Sequence, residues 1–346
     1  MKEVLMEDFK QITERSLPWE ELRNKTFLIT GATGLIGSLL TKFLLYANRT
    51  MDLNTKILAV VRNTKKAEKI FEGERTEALS YVVADLAKEG VSFEGTCDYM
   101  IHTAAVTASK VMVSDPVGTI RTAIDGTEKM LQLAVEKKVN AFVYISSMEI
   151  YGQPQTDKKT TEKDLGYVDI ETVRSCYPEG KRMCECLCTA YAAQYGVNVI
   201  SARLAQTFGA GILPTENRVF AQFARSAMKG ENIVLHTTGE SEGNYVYTAD
   251  AIAAILTLLV KGNAGEAYNI ANEESHITIR KMAELVADKI ADGKIQAVID
   301  IPEDSAALGY APPVKMWLDA AKMRALGWKP QVGLVEAYKR MIRWME

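Results

Sequence analysis

The sequence has few histidines and almost no net charge. Its three histidines are scattered and form no pattern of metal ligands, so we expect no metal site. The 41 lysines and arginines nearly balance the 44 aspartates and glutamates, which leaves a formal net charge of -3. This balance favours neither a nucleic-acid scaffold nor a protein that binds anionic membranes. We therefore predict neither nucleic acid nor membrane as a partner.

A long apolar run is also missing. Residues 1–24 have mixed charge and no apolar core, which excludes a secretory signal in that segment. The longest plainly apolar helix candidate, residues 251–260, is about half as long as a bilayer crossing. The five cysteines are an odd number, which together with the missing signal favours a reducing, cytoplasmic location.

Short apolar runs alternate with helical patterns along most of the chain. This alternation predicts an α/β fold, a Rossmann-type doubly wound parallel sheet with a smaller C-terminal α/β substrate-binding domain. The predicted strands are residues 25–30, 56–61, 81–84, 99–103, 141–146 and 198–202. The predicted helices include 35–46, 123–137, 177–195, 218–229 and 251–260. The predicted divisions are a helical arm (1–24), a dinucleotide-binding domain (25–205, rejoined by 244–271) and a lid domain (206–346).

A glycine-rich turn lies between the first predicted strand and its helix. Gly31, Gly34 and Gly37 allow the backbone to bend and to approach a pyrophosphate at the helix N-terminus. The second strand ends in Arg62, where an acidic residue commonly binds the ribose hydroxyls of NAD. We therefore expect NAD or NADP with a lean towards NADP; alternatively, Arg62 stacks on adenine while NAD binds. The predicted cofactor-binding residues are Gly31, Thr33, Gly34, Leu35, Ile36, Gly37, Arg62, Asp85, Leu86, Ala104, Ala105, Tyr177 and Lys181.

A phenol and an ammonium are four residues apart at Tyr177 and Lys181. On a helix they share one face, about one turn apart. A unit charge ~4 Å away contributes ~4 kcal/mol at an effective dielectric near 20, which would lower a tyrosine pKa from ~10 towards ~7. Tyr177 is therefore the predicted general base. Ser147, after the fifth strand, is predicted to bind the same substrate oxygen; Glu149 is either a second acid or base or a surface residue.

These motifs together resemble a known family. TGATGLIG (30–37), HTAAVT (102–107), SSMEIYG (146–152) and YPEGK (177–181) resemble those of an extended short-chain dehydrogenase/reductase of the nucleotide-sugar epimerase/dehydratase family. The longer string RSCYPEGKR (174–182) is most similar to UDP-glucuronate decarboxylases. The likeness spans most of the chain.

The resemblance implies an enzyme that oxidises C4 of a nucleotide-diphosphate sugar. Tyr177 would take the hydroxyl proton while hydride leaves for the cofactor, and Lys181 would hold the nicotinamide ribose. The fate of the 4-keto sugar separates epimerases, which we prefer, from UDP-glucuronate decarboxylases and 4,6-dehydratases. An NADP-dependent keto-sugar reductase and, from another class, a non-catalytic dinucleotide sensor remain alternatives. The family also implies a homodimer through helices 123–137 and 177–195.

The chain departs from the family pattern around the substrate. Met148 replaces the proton-donating aspartate of dehydratases and the serine of decarboxylases, and a thioether donates no proton. Gly243 stands where many relatives have an arginine for the diphosphate. Gln206, Arg218 and Lys315 are the substrate-binding residues that the resemblance implies, although Gln206 replaces an asparagine and Lys315 an arginine.

Overall fold

The computed structural model describes residues 1–74, 76–154, 158–301 and 314–346. Within these residues, seven parallel strands form the main sheet in the order β10-β6-β5-β4-β1-β2-β3, which confirms the predicted Rossmann-type fold. In chain order, the strands of the described residues are β1 Thr26–Thr30, β2 Lys56–Val61, β3 Leu79–Val83, β4 Tyr99–His102, β5 Ala141–Ser147, β6 Val199–Leu204, β7 Gln206–Phe208, β8 Ile233–Leu235, β9 Glu242–Tyr247, β10 Ala267–Ile270, β11 Asn272–Thr278 and β12 Ala297–Ile299.

Helices cover both faces of the main sheet. Along β5, Phe142 and Tyr144 pack into one core while Val143 and Ile145 pack into the other, because neighbouring side chains of a strand point to opposite faces. In chain order, the α-helices of the described residues are α1 Glu3–Thr13, α2 Trp19–Leu22, α3 Leu35–Met51, α4 Thr64–Ile70, α5 Ser109–Ser114, α6 Pro116–Lys137, α7 Cys176–Tyr195, α8 Val219–Lys229, α9 Thr248–Lys261, α10 Ile279–Leu285, α11 Ala321–Ala325 and α12 Leu334–Met345.

The longest difference from the predicted helices is at the start of α6. The helix begins at Pro116, a full two turns before the predicted residue 123. The side chain of Asp115 accepts a hydrogen bond from the backbone N–H of Gly118, and proline is favourable in the first turn. The prediction overlooked this start signal. No helix of the described residues is long and apolar enough to cross a bilayer.

A second, smaller sheet lies beyond the main one. Strand β9 pairs with β7 in parallel and with β11 antiparallel. Strand β10, which comes between them in the chain, pairs with β6 of the main sheet. The chain therefore leaves the main sheet after β6 and returns to it before β11, so the two sheets are linked by more than one crossing.

The first helix packs firmly onto the rest of the molecule. Phe9 and Ile12 are buried, and α1 contacts α3, α9 and α12. The buried carboxylate of Asp8 accepts hydrogen bonds from the Tyr247 hydroxyl, at 2.6 Å, and from Arg340, at 2.7 Å. The N-terminal segment thus contributes to the core and is bonded to both β9 and the last helix.

Candidate active site

The glycine turn follows β1 and forms a backbone cradle. Gly31 has φ +60°, and a Cβ there would lie 2.6 Å from Oγ1 of Thr103 and 2.8 Å from the backbone N of Ala104. A Cβ on Gly37 would lie 2.4 Å from the carbonyl oxygen of Gly31. At both positions only glycine fits without displacing backbone. Among the described residues, no side chain caps α3 at Gly34, so its first-turn amides remain suited to a phosphate group.

The other candidate cofactor residues lie at the carboxyl ends of β2, β3 and β4. Arg62 is exposed at the end of β2. Leu86 is buried. The carboxylate of Asp85 accepts from the N–H of Ala87 and pairs with Lys88 at 3.6 Å, so its contacts are within the turn that follows β3. After β4, the backbone N–H of Ala104 donates to Thr30 Oγ1 at 3.2 Å. Partly exposed candidates along this edge are Thr33, Leu35, Ile36 and Ala105.

Ser147, Tyr177 and Lys181 come together at the end of β5. Ser147 is the last residue of that strand, and its hydroxyl is near enough to the phenol of Tyr177 to lower the pKa of that phenol. Tyr177 is in the first turn of α7, and Lys181 follows one turn later with its Nζ 5.9 Å from the centre of the phenol ring. Nζ donates to the carbonyl oxygen of Ile145 at 2.7 Å. The helix therefore presents a phenol and an ammonium on the face that meets the strand end.

The expected low pKa of Tyr177 is wrong for the chain as described. Burial raises its pKa to about 12, and the charge of Glu149 adds to the rise, while the hydrogen bond with Ser147 and the nearby Arg174 oppose it. Burial also lowers the pKa of Lys181 to about 8. Desolvation of both groups outweighs their attraction because the ammonium is bonded to a carbonyl rather than to the phenol.

Glu149 is held by an arginine that the sequence interpretation left without a role. Nη2 of Arg174 donates to both carboxylate oxygens of Glu149, at 3.1 and 2.8 Å. The same guanidinium lies 5.4 Å from the centre of the Tyr177 ring. A clue was available in the sequence, since Arg174 comes three residues before Tyr177 and so lies near it when α7 begins there. Glu149 is thus an ion-paired residue beside the phenol.

A second arginine, Arg182, ties α7 to the turn after β5. Its Nε donates to the carbonyl oxygen of Ile150 at 2.7 Å, and its Nη2 donates to that of Gly166 at 2.7 Å. The turn between Met148 and Tyr151, which carries Glu149, is therefore fixed to the helix that carries Tyr177.

The candidate substrate residues are spread more widely. Arg218 pairs with Glu216 at 2.6 Å, yet its charge still acts on Tyr177 and lowers the pKa of the phenol. Gln206 begins β7 and is paired with Tyr245 in the second sheet. Lys315 is exposed, and its backbone forms an isolated β-bridge with the backbone of Glu242 in β9. Of the three, Arg218 is the one whose charge acts on Tyr177.

Met148 and Gly243 meet across the cleft side of the second sheet. A Cβ built on Gly243 would lie 3.6 Å from Cε of Met148. The two departures from the family pattern are thus neighbours, and together they replace an acidic or hydroxyl side chain and an arginine by uncharged groups. This part of the candidate site is correspondingly less polar than the family pattern implies.

Comparisons with known proteins match most of the chain. The sequence profile of the NAD dependent epimerase/dehydratase family matches residues 27–271. UDP-glucuronic acid decarboxylase 6 of Arabidopsis thaliana is 30% identical over 326 residues, covering 92% of this chain and 88% of that protein. UDP-glucuronic acid decarboxylase 1 of Danio rerio is 29% identical over 328 residues, covering 94% and 73%. The solved UDP-glucose 4-epimerase of Thermotoga maritima superposes with a TM-score of 0.75 at 21% identity, covering 92% and 98%, which is a likeness of fold.

Proposed function

The chain belongs to the NAD dependent epimerase/dehydratase family, and on that basis we propose that it modifies a nucleotide-diphosphate sugar through a 4-keto intermediate. The observation that carries the proposal is the placement of Tyr177 beside Ser147 at the end of β5, with Nζ of Lys181 5.9 Å from the centre of the phenol ring. These three residues lie beside the carboxyl ends of the strands, where ligands of such sheets bind.

In the proposed reaction, Tyr177 receives the proton of the sugar C4 hydroxyl while Ser147 hydrogen-bonds to the same oxygen. A bound NAD or NADP supplies the hydride acceptor for C4. Lys181, fixed on the carbonyl of Ile145, keeps a positive charge one turn from the phenol and so favours its ionised form. The sugar would become a 4-ketone, and a hydride returned to its opposite face would invert C4.

We prefer the epimerase-type outcome because the groups for C5 and C6 chemistry are incomplete. Met148 offers no proton to a leaving hydroxyl. Both oxygens of Glu149 are engaged by Arg174. A decarboxylase-like outcome is the second candidate, supported by the similarity to UDP-glucuronic acid decarboxylases and by the presence of Glu149.

Product analysis in deuterated water tests these outcomes. The enzyme is incubated with NAD or NADP and, separately, with UDP-glucose, UDP-glucuronic acid and dTDP-glucose, each deuterated at C4. We expect inversion at C4, retention of the C4 label and no solvent deuterium at C5. Release of carbon dioxide would identify a decarboxylase, whereas solvent deuterium at C5 with loss of the C6 hydroxyl would identify a dehydratase. Full turnover by Tyr177→Phe on the accepted substrate would rule out the proposal.

The choice between NAD and NADP is proposed to depend on Arg62. An exposed guanidinium that follows β2 can bind the 2′-phosphate of NADP. Arg62→Glu should therefore weaken NADP binding much more than NAD binding, measured by calorimetric titration. Lys69→Glu, which makes the same charge change at the far end of α4, is the matched control. An equal loss for both cofactors would leave Arg62 with a stacking role only.

We also propose a homodimer through α6 and α7. Val117 and Ile120 on α6 and Met183 on α7 are exposed apolar side chains, with exposed fractions of 63%, 38% and 50%. A second copy would remove them from water. Light scattering at micromolar concentration should give twice the chain mass, and Met183→Glu should give the monomer. A monomer for the unaltered protein would contradict the proposal.

A further inference from the structure

We propose that Arg174 is a positioning residue for this reaction: it holds Glu149 and offsets its negative charge beside the phenol of Tyr177. The inference rests on the proposed function. It gives a defined task to a side chain that lies outside the Ser-Tyr-Lys set and whose contacts join the separate parts of the site.

Contacts link four residues of the site in sequence: Tyr177, Ser147, Glu149 and Arg174. The hydroxyl of Ser147 is near enough to the phenol of Tyr177 to lower its pKa, and that hydroxyl accepts from the backbone N–H of Glu149 at 3.2 Å. The Glu149 carboxylate is bonded through both oxygens to Arg174, whose guanidinium faces the Tyr177 ring at 5.4 Å. Loss of any one member therefore changes the surroundings of the other three.

The backbone of Arg174 is itself well fixed. It lies in a 3₁₀ turn, Val173–Ser175, that leads directly into α7. The hydroxyl of Ser175 donates to the carbonyl oxygen of Asp169, and the carboxylate of Asp169 accepts from Thr172 at 3.0 Å. The guanidinium is thus presented from an anchored turn, which gives it a defined direction towards Glu149.

The charges around Tyr177 show why Arg174 is needed. Glu149 is the anion beside the phenol, and its charge makes removal of the phenol proton more costly. Lys181 is bonded to the main chain at Ile145, and Arg218 is bonded to Glu216. Arg174 is paired with Glu149 itself, so it offsets part of the unfavourable charge at its source. Groups that face the phenol from the adjoining elements are Tyr144 and Ser147 of β5, Glu149 of the following turn, Arg174 before α7, Lys181 of α7 and Arg218 before α8.

The pH dependence of kcat/KM tests the assignment. The reaction requires the phenolate, so the rate rises with pH as Tyr177 loses its proton. Arg174→Gln leaves Glu149 uncompensated and should move this rising limb up by about one pH unit, which is about a tenfold loss below the limb. Glu149→Gln should move it down, and the double variant should return near the original limb. Arg174→Lys, which restores the charge without the planar fork, should recover most of the shift.

A second measurement does not depend on turnover. Tyrosine labelled with carbon-13 on its ring reports phenol ionisation by NMR, and Tyr177→Phe identifies the Tyr177 signal. Ionisation of that signal should begin at higher pH in Arg174→Gln and at lower pH in Glu149→Gln. Arg280→Gln, which removes a 58%-exposed arginine from α10, is the control and should move neither measurement.

The two failures are distinguishable. If the unaltered enzyme oxidises no nucleotide sugar, the proposed function fails, while the NMR titration still tests Arg174. If the enzyme is active but Arg174→Gln lowers the rate equally at every pH and leaves the Tyr177 signal unmoved, Arg174 only supports the turn and the inference is overturned.

Discussion

Two arginine–glutamate pairs flank α7, and they differ in how completely they are enclosed. The pair beside the phenol, Arg174 with Glu149, has side chains that are 31% and 37% exposed. The pair further along the helix, Arg203 with Glu185, has side chains that are 7% and 11% exposed. Glu185 lies one turn beyond Lys181, so a single face of α7 carries first the catalytic candidates and then a structural ion pair.

Every nitrogen of the buried Arg203 guanidinium has a hydrogen-bond partner. Nε and Nη2 of Arg203 donate to Glu185, while Nη1 donates to the Tyr151 hydroxyl at 2.9 Å and to the carbonyl oxygen of Glu162 at 2.7 Å. Such saturation is what makes a buried ion pair tolerable, because each charge has lost its water. Arg174 donates to Glu149 through one nitrogen, and its side chain stays 31% exposed. The difference indicates that saturated pairs maintain the fold and that incompletely enclosed pairs can respond to a ligand.

Substituting each arginine should give the largest difference in stability between the two pairs. Arg203→Ala leaves Glu185 buried without its partner and should lower the free energy of unfolding by about 3–5 kcal/mol. Arg174→Gln should lower it by less than about 1 kcal/mol, because its pair is partly exposed. Urea unfolding followed by circular dichroism measures both. Equal losses would show that enclosure does not separate the two roles.

The sequence predicted the parts of the site that depend on local rules. The glycine turn follows from its place between a strand and a helix, and the shared face of Tyr177 and Lys181 follows from helical spacing. The parallel sheet follows from the alternation of apolar runs and helices. The residues involved are close in the chain, so their arrangement needs little tertiary information.

Sequence reasoning failed where the environment decides. The pKa of Tyr177 depends on its burial and on the hydrogen bond that Lys181 donates to the carbonyl oxygen of Ile145. Neither can be predicted from the four-residue spacing of Tyr177 and Lys181. The pairing of Arg174 with Glu149 joins positions 25 residues apart, and no pattern in the chain marks them as partners. Likewise, Asp8 meets Tyr247 across 239 residues, so the packing of the N-terminal helix was open until the fold was known.

The contact of Asp8 with Tyr247 extends the comparison to a buried carboxylate with two side-chain donors. Burial raises the pKa of Asp8 to about 6, against the hydrogen bonds from Tyr247 and Arg340. Tyr247→Phe removes one donor from this buried carboxyl and should cost about 1–3 kcal/mol of unfolding free energy, a smaller loss than that for Arg203→Ala. Tyr195→Phe, at a side chain that is 52% exposed, should be close to neutral by the same urea measurement. A neutral Tyr247→Phe would mean that Arg340 alone holds Asp8.

The smallest effect should come from Glu273, an intermediate case between the two kinds of pair. Burial alone would raise the pKa of Glu273, but hydrogen bonds from Lys159, from the N–H of Ala320 and from Arg324 hold it at about 2. A carboxyl whose pKa is lower in the folded state contributes stability above its ordinary pKa of 4.5, and that contribution is lost as the pH falls towards 2. The urea midpoint of the unaltered protein should therefore fall between about pH 5.5 and about pH 3.5 more than that of Glu273→Gln.

The neighbouring Glu274 offers a matched control, because its side chain is exposed. Glu274→Gln should retain the acid sensitivity of the unaltered protein, since it leaves Glu273 and its three donors in place. The urea midpoint of Glu273→Gln could instead fall as much as that of the unaltered protein. In that case the three donors stabilise the Glu273 carboxylate no more than water does in the unfolded chain. The rule linking enclosure and saturation to stability would then apply only to fully buried pairs such as Arg203 with Glu185.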